Sequence, residues 1–204
     1  MKRLMILASA LLLVGAGCTG GSAESTATDG LTFTYPDQEE SVTEETQIQW
    51  EFPGTLAEGE IENKQIRIQT EKGDIVFELF ADSAPNTVSN FVYLTKGGYY
   101  NELTFHRREE GFVIQGGDPV GNGTGGPGYK FEDELDDEYS YERGIVAMAN
   151  SGPNTNGSQF FVMLADTSLP KAYSIFGRVT EGMDVVDEIV VGDIMSAVSV
   201  EDKE

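Results

Sequence analysis

The chain has 204 residues, with 35 acidic side chains against 13 basic ones and a formal net charge of −22 at pH 7. Such a surface repels nucleic acid and anionic headgroups, so neither is expected as a direct partner. The only histidine is His106 and the only cysteine is Cys18. That excludes a multi-histidine metal site and an internal disulfide, and it weakens any reading that needs a histidine-based triad.

In chain order, 1–17 has the pattern of an export signal: Lys2 and Arg3, an apolar run from Leu4 to Val14, then small residues. The apolar run is too short to span a bilayer comfortably. It leads through Leu13-Val14-Gly15-Ala16-Gly17 to Cys18, which resembles a bacterial lipoprotein cleavage box. Ala16 and Gly17 fit that box, and Gly15 departs from it, since an aliphatic residue is usual there. The reading is a signal peptide over 1–17 and a lipidated Cys18 that becomes the mature N-terminus. The protein is then exported and held at the outer face of the cytoplasmic membrane or cell envelope, through lipid and not charge. A plain secretory signal cut nearby is the alternative.

Thr19 to Gly30 is small and polar, the composition of a flexible tether. Beyond it Leu31, Phe33 and Tyr35 alternate, as do Ile48, Trp50 and Phe52, on either side of Glu39, Glu40, Glu44 and Glu45. The whole of 18–62 is read as an acidic tether with a short apolar segment around Trp50, available to dock on the domain that follows. A small separate module that captures a sugar or other ligand through its aromatics is the alternative. The main domain is expected over 63–200, with a tail at 201–204.

Within that domain, Ile66, Ile68 and then Ile75, Phe77, Leu79 alternate around Glu71-Lys72-Gly73-Asp74, which predicts a β-hairpin. Asp82-Ser83 ahead of Ala84-Pro85 predicts a helix with a side-chain cap and proline in its first turn. Val88, Phe91, Val92 and Leu94 give it an apolar face, and Gly97-Gly98 ends it. A second helix is expected from Met183 to Val190. The remaining segments are short and strand-like with glycine-rich turns, which predicts a mainly β protein closed into a barrel.

Two stretches carry the chemistry. In Phe105-His106-Arg107-Arg108-Glu109-Glu110-Gly111-Phe112-Val113-Ile114-Gln115-Gly116-Gly117-Asp118, an apolar run is broken by glycines, as in a short strand ending in a turn. A period of two puts Arg107 on the face of Phe105, and Gln115 on that of Val113. An arginine beside buried apolar groups needs a task or a partner; the bland alternative is a solvated strand edge. The second stretch, Met148 to Phe161, encloses Asn150-Ser151-Gly152-Pro153-Asn154-Thr155-Asn156-Gly157-Ser158-Gln159 between two buried-looking strands. It has more amide side chains than turning requires, and amides with exposed backbone suit an extended peptide. A self-satisfied loop is the alternative.

Other motifs do not hold. Gly121-Asn122-Gly123-Thr124-Gly125-Gly126 matches a dinucleotide fingerprint in letters, but Pro127 and Gly128 follow where a helix should open. Glu132 to Glu138 lacks the spaced ligands of a calcium loop and reads as a solvated acidic loop.

The ordered set Ala84-Pro85-Asn86-Thr87-Val88-Ser89-Asn90-Phe91, Phe105-His106-Arg107, Gly111 to Asp118, Gly123-Thr124-Gly125-Gly126, Lys130-Phe131-Glu132-Asp133-Glu134, Met148 to Phe161 and Phe176-Gly177-Arg178-Val179 resembles the cyclophilin family of peptidyl-prolyl isomerases. The resemblance starts near Ile66 and reaches Met183. It implies a closed eight-stranded antiparallel β-barrel capped by two α-helices, and a peptidyl-prolyl cis-trans isomerase that assists folding of exported proteins. No cofactor or metal is implied. Partners would be proline-containing segments of unfolded or exported proteins, and a closed barrel with few free edges is expected to be a monomer.

The resemblance also assigns roles. Arg107 is implied to donate a hydrogen bond to the prolyl nitrogen in the twisted transition state, with Gln115 and Asn150 as its catalytic companions. Phe112, Val113 and Phe161 match the pocket for the proline ring, and Leu169 and Tyr173 match further substrate-binding positions, where Tyr173 could present a hydroxyl to the substrate. Gln159 matches a polar group that holds the peptide, and Gly123, Ala149 and Ser151 line the groove beside it. His106 is implied to be part of the scaffold. Several positions depart from the pattern. Val113 stands where methionine is common, Leu169 where tryptophan is common, and Tyr173 where histidine is often found. Arg108-Glu109-Glu110 replaces a segment that is usually apolar and ends in proline. Leu169 implies weakened binding of cyclosporin-type ligands. The competing reading is a groove that binds proline-containing segments without turning them over.

Overall fold

The computed structural model describes residues 48–203, so the export signal, Cys18 and the tether as far as residue 47 lie outside the described residues. Three short helices, α1 (Glu58–Ile61), α2 (Pro85–Lys96) and α3 (Met183–Glu188), accompany eight strands. The strands are β1 (Lys64–Thr70), β2 (Gly73–Leu79), β3 (Arg107–Glu109), β4 (Val113–Gly116), β5 (Ile145–Met148), β6 (Phe160–Met163), β7 (Ile175–Glu181) and β8 (Ala197–Asp202). All neighbours pair antiparallel in one sheet of order β3-β4-β6-β5-β7-β2-β1-β8.

The sheet is strongly curled but does not close, which corrects the closed barrel expected from sequence. Its outer strands β3 and β8 do not pair with each other. The segments just before them meet instead. Thr104 bridges Ile194, Phe105 N–H donates to Asp193 O (2.9 Å) and Met195 N–H to Leu103 O (2.8 Å). A three-residue β3 is too short to carry a ladder on both edges, so the seam is made by loops. Register shifts where β7 meets β2 and β5 add bend, as an extra residue in one strand does.

Why β4, β5 and β6 read as unbroken apolar runs is visible in how they pack. Ile114, Val146, Met148, Phe160 and Val162 enter the main core with Phe77, Phe91 and Phe176. Their alternating neighbours Val113, Ile145, Ala147, Phe161 and Met163 enter a second cluster on the opposite face, with Phe80, Tyr141 and Ile175. Side chains alternate across a strand, so a strand covered on both sides must be apolar at every position.

The β1–β2 hairpin forms as expected, with Thr70 paired to Gly73 across Glu71-Lys72. In α2 the proline sits in the first turn as expected, but the cap differs. Neither Asp82 nor Ser83 caps the helix. The carboxylate of Glu134 does so from a distant loop, taking the backbone N–H groups of Asn86 (3.0 Å) and Thr87 (2.8 Å). Unpaired N–H groups at a helix start favour an anionic acceptor, whichever part of the chain supplies it. The run from Glu132 to Glu138 is therefore not merely a solvated loop. Asp137 in the same run is 1% exposed in its side chain and pairs with Lys171. The expected tail also needs correcting: β8 runs to Asp202, where Glu201 and Asp202 face Gln65 and Lys64.

Residues 48–62 lie along α2. Trp50 meets the rings of Tyr93 (5.6 Å) and Tyr99 (5.4 Å) edge-on, and Phe52 stacks on Phe131 at 5.0 Å. Leu56 N–H donates to Ser89 Oγ (2.9 Å), and Lys96 pairs with Glu60 (2.9 Å). Edge-on aromatic pairs contribute about 0.5–1.5 kcal/mol each beyond the area they bury. The Trp50 ring sits directly over Gly97, where a Cβ would overlap the ring edge. Gly97 has φ −81°, a conformation alanine adopts freely, so Gly97→Ala changes packing and not the backbone. We expect it to lift Trp50, seen as a red shift of the single tryptophan's emission, and to destabilise the chain by about 1–3 kcal/mol in urea unfolding.

Candidate active site

The antiparallel register of β3 and β4 places Arg107 directly opposite Gln115, and that of β4 and β6 places Gln115 opposite Phe161. Cross-strand neighbours share a face. Arg107, Gln115 and Phe161 therefore stand together on the face of the second apolar cluster.

A guanidinium only donates, and this fixes the polarity of everything attached to it. Arg107 Nη1 donates to Gln115 Oε1 (3.0 Å), so Gln115 Nε2 is left to donate, and it does so to Gln159 Oε1 (2.9 Å). Gln159 Nε2 in turn donates to the carbonyls of Gly125 (2.9 Å) and Gly123 (3.1 Å). The relay runs from β3 through β4 to the glycine-rich loop. On its other edge, Arg107 Nε donates to Glu109 Oε1 at 3.1 Å and Nη2 donates to the same oxygen. The Phe112 ring lies beneath, its centroid 5.9 Å from Arg107 Cζ, within cation–π range. Nη1 and Nη2 each keep a second N–H free of these bonds.

The apolar part of the site is contiguous. Phe112, Leu169, Ala149 and Tyr173 are partly exposed and pack against buried Val113 and Phe161. Phe161 meets Tyr173 edge-on at 5.5 Å. Tyr173 is held by its backbone, since its N–H donates to the Tyr141 hydroxyl (3.0 Å) and its carbonyl accepts from that hydroxyl (2.9 Å). Beside this patch lies a cavity of about 810 Å³ lined by Gln115, Gly123, Ala149, Asn150, Ser151 and Gln159 together with the 124–130 loop. Patch and cavity share Ala149, and Gln115 of the cavity wall is paired across the strands with Phe161 of the patch.

The structure thus brings together nearly all the residues chosen from sequence, with one difference. The side chain of Asn150 makes no hydrogen bond to Arg107. Its amide donates to Ala172 O (2.8 Å) and accepts from Gly152 N–H (3.2 Å), which ties the loop bearing Tyr173 to the groove wall. Ser151, just beyond, is held through its N–H by Thr155 Oγ1 (2.8 Å). His106 lies near Asp118, Arg107 and Gln159, but both its ring nitrogens are buried without a hydrogen bond of good geometry, and burial lowers its pKa.

Sequence reading missed Asp118. It is 1% exposed, yet its carboxylate accepts the backbone N–H groups of Val120 (2.8 Å), Asn122 (3.0 Å) and Gly123. The side chain fills the space beside Gly125, where a Cβ would overlap it. Gly117, at φ +82°, is likewise required, because a Cβ there would run into Ser158 O. Asp118 therefore shapes the loop whose carbonyls receive Gln159. An acidic residue within a run of glycines was the available signal, since such a residue can collect several turn N–H groups.

Comparison with known proteins is consistent with this geometry. A sequence profile described as "Cyclophilin type peptidyl-prolyl cis-trans isomerase/CLD" matches residues 65–203. A Helicobacter pylori peptidyl-prolyl cis-trans isomerase is 47% identical over 135 residues, which covers 64% of this chain and 83% of that one. The Rhizopus delemar peptidyl-prolyl cis-trans isomerase cyp15 is 48% identical over 159 residues, covering 76% of this chain but only 24% of that longer protein. The crystal structure of a Cryptosporidium parvum cyclophilin type peptidyl-prolyl cis-trans isomerase superposes with a TM-score of 0.63 at 37% identity, covering 68% of this chain and 97% of that one. The same protein has been solved in the presence of the dipeptide Ala-Pro.

Burial alone would raise the pKa of Asp118, but the N–H groups of Val120, Gly123, Asn122 and Gly121 outweigh it and hold it below the usual aspartate value. A depressed pKa means the carboxylate stabilises the fold above the unfolded value, near 3.9, and that this is lost as pH falls through the lower folded value. Asp118→Asn is expected to lower stability at pH 7 and to flatten the acid side of a stability–pH curve. Denaturant titrations from neutral to strongly acid pH would show it.

Proposed function

The chain belongs to the cyclophilin-type peptidyl-prolyl cis-trans isomerase family, and from that premise we propose that Arg107 drives isomerisation of Xaa-Pro bonds in exported proteins. The observation that carries this reading is the Arg107 guanidinium, which is fixed by Gln115 and Glu109, lies over Phe112 and still has N–H groups to offer.

Rotation about a prolyl amide meets a barrier of roughly 18–20 kcal/mol, because the nitrogen lone pair is delocalised into the carbonyl. The lone pair localises on nitrogen as the bond twists. A donor placed there binds the twisted amide better than either planar form, and this is what catalysis requires. Arg107 supplies that donor, with N–H groups held in a rigid plane. The proline ring rests in the patch of Phe112, Val113, Phe161, Leu169 and Tyr173, which removes water from around the hydrogen bond and strengthens it. Gln115 holds Nη1, and Gln159 holds Gln115. The residues before proline run into the groove beside Gly123, Ala149, Asn150 and Ser151. No bond is made or broken, so no nucleophile or proton relay is needed. Leu169 offers no indole N–H, which supports weak binding of cyclosporin-type ligands.

The proposed setting is outside the cytoplasmic membrane, on a lipid carried by Cys18 and a tether that leads to the domain. The clients are then unfolded segments emerging from export, for which exchange over tens to hundreds of seconds is slow.

Two measurements test this. Exchange of a short Xaa-Pro peptide, followed by NMR, is expected to be accelerated by the chain. Arg107→Ala should lose on the order of 100-fold in that activity while remaining folded, and Arg107→Lys should not restore it. A chain that binds the peptide but leaves exchange unaltered would establish the binding-module reading instead. For the anchor, labelling cells with a tagged fatty acid should mark the native chain and not Cys18→Ser, which should fractionate away from membranes. Equal fractionation of the two would sink the anchor.

A further inference from the structure

We propose that Glu109 is a positioning residue for Arg107, holding the guanidinium in its working orientation; this rests on the role assigned to Arg107 above. Period-two alternation along β3 puts Arg107 and Glu109 on one face and Arg108 on the other, and Glu110, in the turn that follows, meets Arg108. Two arginine–carboxylate clasps result, one per face. Glu109 Oε1 takes both Nε and Nη2 of Arg107, while Glu110 Oε2 takes Nε (3.3 Å) and Nη2 (2.8 Å) of Arg108. Arg108 Nη1 also donates to Ile189 O at 2.6 Å, fastening this second clasp to the far side of the seam.

Arg107 needs such a restraint because of where it sits. β3 is an outer strand of the sheet, and the Arg107 side chain is 41% exposed. Without Glu109, the only polar group among the described residues that holds the guanidinium is Gln115, at a single nitrogen. One hydrogen bond leaves rotation about that contact free. A second at the Nε–Nη2 edge fixes the plane of the group, and with it the direction of the remaining N–H bonds on Nη1 and Nη2. The carboxylate takes the Nε–Nη2 edge and leaves one N–H on each of Nη1 and Nη2 unbonded. It therefore orients the donor without occupying it.

The pair is half in solvent and on adjacent positions of one face, so it contributes little to global stability. Its effect should appear in the chemical step. A misdirected catalytic group loses rate steeply even when it remains in the site.

The experiment uses the whole chain and compares Glu109→Ala, Glu109→Gln, Glu110→Ala and Arg107→Ala by peptide exchange over a range of substrate concentrations. Glu109→Ala should lower kcat about tenfold with KM changed less than about twofold. Glu109→Gln, which retains an oxygen acceptor, should recover part of the loss. Glu110→Ala loosens the same turn from its other face and should leave kcat close to that of the parent. By NMR, the Arg107 Nε–H should exchange slowly with water in the parent and fast in Glu109→Ala. The proposal is overturned if Glu109→Ala keeps the parental kcat or exceeds it, or if Glu110→Ala loses as much. If Arg107→Ala itself remains active, the assignment of Arg107 falls first, and this inference with it.

Discussion

The structure depends on strands β4, β5 and β6 being covered on both faces. One face closes the main core through Ile114, Phe160 and Val162. The other carries Val113, Phe161 and Met163, which the partly exposed Phe112, Leu169 and Tyr173 extend towards solvent. The floor of the candidate site is thus the reverse side of the core. A residue on either face is fixed by the same backbone, so the apolar patch inherits the rigidity of the close-packed interior. Register turns this into chemistry. A slip of one residue between β3 and β4 would send Arg107 to the wrong face and separate it from Gln115 and Phe161.

From that floor the polar part of the site is built by hydrogen bonds with one possible direction. Arg107 can only donate, which orients the Gln115 amide, which orients that of Gln159, which ends on the carbonyls of Gly123 and Gly125. The loop holding those carbonyls is organised by Asp118. Behind the groove, Tyr99 meets Ser158 (3.0 Å), and Tyr129 donates to Asn90, whose amide reaches Gly157 O (2.8 Å). Tyr99 and Tyr129 also touch Trp50 and Phe52. The segment before the domain is therefore in packing contact with the groove's rear wall.

Much of this was legible in the sequence because it is local. Alternation in Ile66–Ile68 and Ile75–Phe77–Leu79 gave the first hairpin, and the proline at 85 and glycines at 97 and 98 bounded α2. The candidate site was legible mainly through resemblance, since periodicity alone left Arg107 on either a working or a solvated face. What could not be read depends on distant parts of the chain meeting. Glu134 caps a helix that begins at Pro85, and Asp137 is buried by Lys171, although composition marked both as parts of a solvated loop. The open seam between β3 and β8 is a matter of strand length and curvature, which alternation does not encode. Asn150 was implied, with Gln115 and Gln159, to hold the peptide backbone and position the arginine; that its amide binds the loop at Ala172 is likewise a distant meeting that spacing does not encode.

The choice of groups also fits the reaction. Isomerisation moves no proton and makes no bond, so a site for it gains nothing from a titrating side chain. The chain's single histidine is adjacent to Arg107 in sequence, yet its ring is buried without a hydrogen-bond partner, and its depressed pKa favours the neutral form. The charge placed in the site is the Arg107 guanidinium, which only donates and is paired with the Glu109 carboxylate. A lone cation half in water would be a mobile and weakly directed donor. Gln115 and Glu109 supply direction, Phe112 supplies an apolar surface beneath it, and the strands supply register. In a molecule with a net charge of −22, a carboxylate partner also keeps that one cation from being drawn toward other acidic groups on the surface. The acidic residue in a position that is usually apolar then reads as part of the same design: a short outer strand, without the usual proline to stiffen its turn, holds its arginine by charge instead.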